Sequence, residues 1–508
     1  MSNSEFSFDH ISRRQAIKLL GGGAGLALLA GCGPFDKKSV STTSIPAYGG
    51  GAFVSPTEIV STNGVMSVDL TAAETMLPWE GGQRFALTYN GGVHGPTLRA
   101  RPGDTIAVSF TNNLSEPTNI HTHGLHVSPN GASDNAFRTI DPGDTQNYLF
   151  EIPATHPSGT FWYHPHLHGL SAPQLAGGLA GVLIIEDAID DTADFKAMNE
   201  RVIVLSDPPI GTNSSILNVS EAVKQEGREG GATLVNGVSQ PKLTGKVGVT
   251  ERWRIVNAST SRYHVLSITG ADMHHIANGQ ERFSSPVQRT DILLTPGQRA
   301  EVLIPTGSAG TITLNSTTHN RGMMMGDMGG DMDHGDGGDM MGGSSDYIEK
   351  TTTLLSLEVQ GSNSNVRALP LVINPSPTSV PNTIDKTRQI SFGAMSMGNG
   401  EFVIDGKFFK HDRVDATAQL GTTEDWVIKN NSMMPHPFHI HVWPFAVISR
   451  SDGSAPDEGW RDTVNIPTGQ SVTIRIPVEN YGGKTVYHCH ILDHEDLGMM
   501  GIIDVKSA

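Results

Sequence analysis

The sequence predicts an all-β protein made of three β-sandwich domains of one kind. Two observations carry this reading: a composition rich in turn residues and poor in charge, and a turn-and-strand unit that occurs three times. The 508 residues include 58 glycines and 29 prolines, and charged residues make up only 17%. The usual charged share is ~25%, so the balance favours short strands joined by turns over long helices. The unit runs from Pro142-Gly143-Asp144 to Ile152-Pro153, from Pro296-Gly297-Gln298 to Ile304-Pro305, and from Thr468-Gly469-Gln470 to Ile476-Pro477. Inside each bracket apolar residues alternate, as at Val302 and Ile304 or Val472, Ile474 and Ile476. That is the period of a half-buried strand entered through a tight turn. A partner strand is expected ahead of each, over 105–112, 251–257 and 424–430. Units spaced roughly 150 to 170 residues apart place the domains at 55–190, 195–362 and 380–508.

The N-terminus reads as an address. Ser12-Arg13-Arg14-Gln15, Lys18 and the apolar run from Leu19 to Ala30 look like a twin-arginine export signal over 1–31. The run is shorter than the ~20 residues that span a bilayer. Leu29-Ala30-Gly31-Cys32 resembles a bacterial lipoprotein cleavage box, which would make Cys32 the lipidated first residue of the mature chain. Residues 32–54 then form a flexible tether. A periplasmic, extracytoplasmic protein is expected, touching a membrane only through that lipid. The formal charge of −17 argues against nucleic-acid binding.

Chemistry sits at fixed places in the repeat. Eleven residues after Pro153 comes His164-Pro165-His166, and eleven after Pro477 comes His488-Cys489-His490, but ten after Pro305 stands Asn315-Ser316-Thr317. Likewise the first and third partner strands lead to His121-Thr122-His123-Gly124 and His436-Pro437-Phe438-His439-Ile440-His441, while the second leads only to His264. The middle copy has lost its ligands, so metal belongs to domains one and three. Residues two apart on a strand share a face. Four His-x-His pairs therefore aim their imidazoles into one shared site, and imidazoles without carboxylate or thiolate partners suit copper, zinc or iron. Beside them His436 joins Cys489, His494 and Met499, spaced Cys-x4-His-x4-Met. Two His, one thiolate and a weak axial Met are the ligands of electron-transfer blue copper. On one strand Cys489 would face this centre while His488 and His490 face the cluster, a covalent path between the two.

These four segments, running through Met499, resemble the signatures of the multicopper oxidases, and the resemblance extends from about residue 55 to the end. It implies three cupredoxin-like Greek-key domains and four copper ions. Substrate is oxidised one electron at a time at a type 1 copper, and dioxygen is reduced to water at a trinuclear cluster between domains one and three. By position it gives His436, Cys489, His494 and Met499 to type 1, and His121 and His439 to type 2. The type 3 pair takes His123, His164, His166, His441, His488 and His490. Glu495 and Asp134 match family acids that relay protons, and domain two is left with spacing and support. His94, His126, His168 and His319 are read as surface or supporting residues.

Between Arg321 and Asp346 lie seven of the 18 methionines, Met323, Met324, Met325, Met328, Met332, Met340 and Met341, among glycines, five aspartates and His334. Such a segment cannot pack a core. Thioethers prefer monovalent copper, so an acidic Met-rich insert at 321–346 is expected to capture Cu(I), with Met434 as a further ligand. This is similar to bacterial copper-tolerance oxidases, which oxidise Cu(I) besides phenols. Two departures stand out. In the enterobacterial cuprous oxidases the Met-rich stretch lies in domain three, not late in domain two, and an Asp precedes the first domain-three ligand where this chain has Ser432. The expected partners are O2 and either Cu(I) or a small phenol or aromatic amine, and a monomer is expected. A copper-sequestering or structural protein is the alternative from another class.

Overall fold

The computed structural model describes residues 51–79, 82–322, 350–362, 368–394 and 402–507. The export signal, Cys32, nearly all of the tether, the methionines and His334 of 323–341, and Met395 and Met397 lie outside the described residues.

Six β-sheets form three sandwiches, each closed around its own apolar core. The sequence repeat is one half of each sandwich. Thr105–Asn113 pairs antiparallel with Thr145–Glu151, Glu251–Asn257 with Arg299–Ile304, and Thr422–Asn430 with Ser471–Val478. The first strand of each pair has a parallel neighbour on its other side, Val65–Trp79, Asn199–Ser206 and Lys386–Ala394 respectively. Parallel neighbours need a crossover rather than a hairpin, so the chain visits the opposite sheet between them, and this makes the sandwiches Greek-key and cupredoxin-like. Alternation holds where one face is free: in Ser471–Val478 every second residue is buried. Truncating one of these, such as Ile474 to Ala, would cost about 2–5 kcal/mol.

The second copy departs from the half-buried pattern, for Arg299–Ile304 is buried throughout. The cause is contact between domains. Arg299 Nε donates to Thr160 O at 2.9 Å, and Glu301 accepts from Arg254 Nη1 at 2.7 Å, with the same guanidinium 2.9 Å from Thr160 Oγ1.

The opposite sheets carry the histidines. His121–His123 pairs with Gly159–His164 so that His121 lies across from His164, and His436–Ile440 pairs with Gly483–Cys489 so that His439 lies across from His488. In the middle copy His264–Thr269 pairs with Gly310–Thr317, and His264 Nδ1 is bound to Ser316 Oγ at 2.8 Å.

Candidate metal centre

Eight imidazoles meet between domains one and three: His121, His123, His164, His166, His439, His441, His488 and His490, each at most 2% exposed. Strand pairing sets the arrangement, since each His-x-His pair projects from one face and cross-strand partners bring the pairs together. His166 Nε2 stands 3.0 Å from His488 Nε2 and 3.2 Å from His441 Nε2, and the last two are 3.3 Å apart. His121 stacks on His441 with ring centres 3.7 Å apart, and His123 on His439 at 3.9 Å. Burial above all holds every one of these pKa values below the ordinary histidine value, to about 3 for His166 and about 4 for His439. Neutral imidazoles are ligands. Among the described residues, Nε2 of His121, His164 and His439, Nδ1 of His123 and His441, and both nitrogens of His490 are buried with no hydrogen-bond partner. A native interior rarely leaves so many polar atoms unsatisfied. Cations shared among these nitrogens would satisfy them, so the donor set fits a copper cluster.

Carboxylates hold the rings. His121 Nδ1 lies 3.0 Å from both oxygens of Asp134, leaving Nε2 free, the orientation a carboxylate imposes on a metal-binding His. Burial pushes the Asp134 carboxyl up to about 7, against the Thr122 N–H that it accepts at 2.9 Å. Glu495 accepts from Ser171 Oγ at 2.8 Å, and its second oxygen stands 3.1 Å from His488 Nδ1. Burial, with Asp496 adding to it, raises the Glu495 carboxyl well above the carboxylate range.

The second centre is smaller. His436 Nδ1 lies 3.4 Å from Cys489 Sγ and 3.2 Å from His494 Nδ1, with His494 Nδ1 3.9 Å from the sulfur. The other nitrogen of each ring is pinned: His436 Nε2 donates to Ser432 Oγ at 2.7 Å and His494 Nε2 to Gln225 O at 2.9 Å. Both Nδ1 lone pairs are thereby left to a metal. Met499 is fully buried in the same core cluster as Cys489. Burial pushes the Cys489 thiol up, which a coordinated cation would reverse, and the Ile491 N–H donates to its sulfur at 3.4 Å.

Domain two does more than space its neighbours, and here the structure corrects the sequence reading. Asp462 in domain three touches two cluster rings, with Oδ1 3.0 Å from His123 Nε2 and its carbonyl 2.8 Å from His439 Nδ1. Arg299 and Gln280 of domain two hold that carboxylate, Arg299 Nη1 at 2.7 Å and Gln280 Nε2 at 2.8 Å. Burial alone would raise the Asp462 pKa, but the Arg299 guanidinium outweighs it and holds the carboxyl well below the usual range. The sequence reading missed Asp462, Arg299, Gln280 and Gln225. The available signal was Arg461-Asp462, charges set between Trp460 and Val464 just before the third Thr-Gly-Gln turn.

The described residues end before the insert at Arg321 and Gly322. Arg321 pairs with Glu229 at 2.8 Å, lies over the Tyr263 ring at 5.9 Å, and its charge bears on His436, Cys489 and His494. A Cβ on Gly322 would stand 2.7 Å from the Met433 carbonyl oxygen. Met433 is exposed and Met434 buried. Ser432 is committed to His436 and to Asn430 Oδ1 at 2.7 Å.

Comparison with known proteins places the chain in one family. Multicopper oxidase family models match residues 71–190, 200–321 and 376–508. The chain is 31% identical over 431 residues to the multicopper oxidase mco of Staphylococcus haemolyticus, covering 83% of this chain and 84% of that protein. It is also 28% identical over 513 residues to the cell division protein FtsP of Pectobacterium atrosepticum, covering 98% and 99%. Its fold matches the solved structure of a multicopper oxidase from Campylobacter jejuni, described as a metallo-oxidase, with a TM-score of 0.77, 28% identity and coverage of 91% and 96%. The chain belongs to the multicopper oxidase family.

Proposed function

We propose that this protein is an O2-dependent oxidase of cuprous ion, acting outside the cytoplasm after twin-arginine export and held by lipid on Cys32, in a copper-tolerance role. His436, Cys489, His494 and Met499 would hold a type 1 copper, His121 and His439 a type 2 copper, and the other six cluster histidines a type 3 pair, four ions in all. Bound copper supplies one-electron transfer from substrate and delivery of four electrons to dioxygen. The sum is four Cu(I), four protons and one O2 giving four Cu(II) and two waters. The protein's own groups then do the rest. The peptide from His488 through Cys489 to His490 joins the two centres covalently. Asp134 and Glu495, whose burial favours the protonated form, hold protons beside His121 and His488. Asp462 with Arg299 keeps His123 and His439 oriented.

One observation carries the choice of reductant. The Met-rich insert follows Arg321, whose charge bears on His436, and Gly322, which lies against Met433, so in sequence its thioethers come directly after residues near the proposed electron entry. A laccase-type reading, oxidation of phenols or aromatic amines, is favoured by Ser432, whose hydroxyl is already bonded and brings no carboxylate to a substrate cation beside Met434. A non-enzymatic role has the full-length likeness to a cell division protein on its side. Oxygen uptake by the copper-loaded protein with Cu(I), then a simple phenol, as sole donor separates all three. The proposal expects the higher kcat/KM with Cu(I), and deletion of 323–341 should lower Cu(I) turnover more than phenol turnover. A higher kcat/KM for the phenol makes it a laccase, and no uptake with all centres filled makes it a copper-holding or structural protein.

A further inference from the structure

Away from the smaller centre, a cavity of about 30 Å³ lies against the cluster ligand His166, room for about two water-sized guests. Phe137, Phe409, His168, His411 and Met500 are among the residues that line it. Exposure falls from one histidine to the next: His411 is exposed, His168 half-buried and His166 buried. The cavity thus joins the surface to the cluster by a row of imidazoles. The His168 and His411 rings meet edge to face with centres 5.9 Å apart and planes at 76°. Two imidazoles sharing one ion at a metal–nitrogen distance of about 2.0 Å hold their ring centres about 5 to 6 Å apart. The pair His436 and His494 of the smaller centre also meets edge to face, at 5.1 Å and 64°. His168 Nδ1 is shielded from solvent and has no hydrogen-bond partner among the described residues. Phe409 packs against both rings, 4.7 Å from His168 and 4.8 Å from His411, and fixes them face to edge. Met500 adds a thioether to the lining, and its backbone lies across the strand pair from His488.

We propose that His168 and His411, with Met500 beside them, form an accessory copper site in this cavity, where an incoming ion rests before passing to His166 and the cluster. The chemistry is that of a borderline-to-soft cation: two imidazole nitrogens and a thioether, with no carboxylate among the described lining residues to favour calcium or magnesium. The inference rests on copper being the metal of the principal centres.

The test uses the full copper-loaded protein, titrated with Cu(II) and read by electron paramagnetic resonance and by copper per chain. Cu(II) is chosen because the thioethers of the insert favour Cu(I). The expected result is one ion beyond those of the principal centres, with nitrogen hyperfine structure, retained when 323–341 is deleted and lost in His411→Asn and His168→Asn. His411 is exposed, so its variant has no core to disturb. Stripped protein is then reloaded with Cu(II), and recovery of the cluster signal should slow by about tenfold or more in His411→Asn, the scale on which an auxiliary metal contact acts. An extra ion that survives both substitutions, or no extra ion at all, overturns the site and leaves the cavity to water and dioxygen. Equal reloading rates overturn the loading role. If the principal centres themselves take up no copper and no blue colour, the copper reading has failed, and that outcome shows in the same spectra.

Discussion

The Pro296-Gly297-Gln298 turn offers a controlled perturbation, because the repeat supplies its own references. Gly143, Gly297 and Gly469 occupy equivalent turns with φ of +86°, +82° and +72°, so an Ala at any of the three carries the same left-handed strain of about 1–2 kcal/mol. Surroundings differ. An added Cβ meets nothing within 4 Å at Gly143 or Gly469, but at Gly297 it would stand 2.8 Å from His490 Nε2 and 2.9 Å from Cδ2 and Cε1. That is about 0.7 Å inside an ordinary carbon contact. His490 has little room to yield, with His123 at 4.9 Å, His164 and His439 both at 5.6 Å, and Trp162 at 5.8 Å between ring centres. The ring or the turn must shift, and a misplacement of about 1 Å at a reacting centre costs about 10²-fold in rate. The three Ala variants are compared by Tm, copper per chain, cluster spectra and oxygen uptake. Gly143→Ala and Gly469→Ala should lose similar thermal stability, about 2–4 °C per kcal/mol, and Gly297→Ala somewhat more because of its added clash. Only Gly297→Ala should lose cluster copper and fall about 10²-fold in turnover. Full copper and turnover within about twofold of Gly143→Ala would refute the argument that domain two shapes the cluster.

Further outcomes can be checked with the same preparations. Cys489→Ser should lose the intense blue absorption and substrate oxidation while the fold survives, and a variant that stayed blue would sink the type 1 assignment. Ser432→Ala frees His436 Nε2 and should weaken copper retention at the smaller centre by about 10–100-fold, seen by chelator competition; unchanged retention would show that the hydroxyl positions nothing. Acid stability should depend on Asp190, where burial would raise the pKa but Arg252, Arg282 and Arg254 outweigh it and hold it well below the usual range. A depressed folded pKa contributes stability that is present above the unfolded value of about 4 and lost as pH falls through the folded one. Asp190→Asn should therefore lower Tm at pH 7 by removing one of the carboxylates that Arg252, Arg254 and Arg282 share with Glu200, Glu301 and Asp187, and the gap to wild type should narrow below about pH 4. A gap independent of pH would remove the ionic explanation.

The sandwich strands and the meeting of the expected ligands were legible in the sequence for one reason, short-range pattern, while the allotment of each ligand to a copper rested on the family resemblance. Alternation of Val472, Ile474 and Ile476 follows from one buried face, and His488-Cys489-His490 has its spacing because a strand turns successive side chains to opposite sides. Asp462 was not legible because its partners Arg299 and His123 are 163 and 339 residues away. Gln225 was hidden more deeply, since it offers His494 only a backbone carbonyl, a group every residue has. Burial misled the reading in one place: Arg299–Ile304 looks half-exposed by alternation, yet its charged face is covered by domain one.

Loss of ligands from the middle copy is what makes these contacts possible. His264, at the position equivalent to His121, is bound to Ser316 through Nδ1 and has no second imidazole across the strand pair. Its conserved architecture still delivers a tight Gly turn and the strand that follows it, and in this copy the turn meets His490 while Arg299, first on the strand, clamps Asp462. From its short helix Glu221–Glu226 and the loop after it come Gln225 on His494 and Arg228, whose Nε and Nη2 reach Asp493 at 3.0 and 2.8 Å. The copy that gave up copper is therefore the one positioned to orient ligands at both centres, and that is why its variants should change cluster spectra and blue-copper retention before they change the fold.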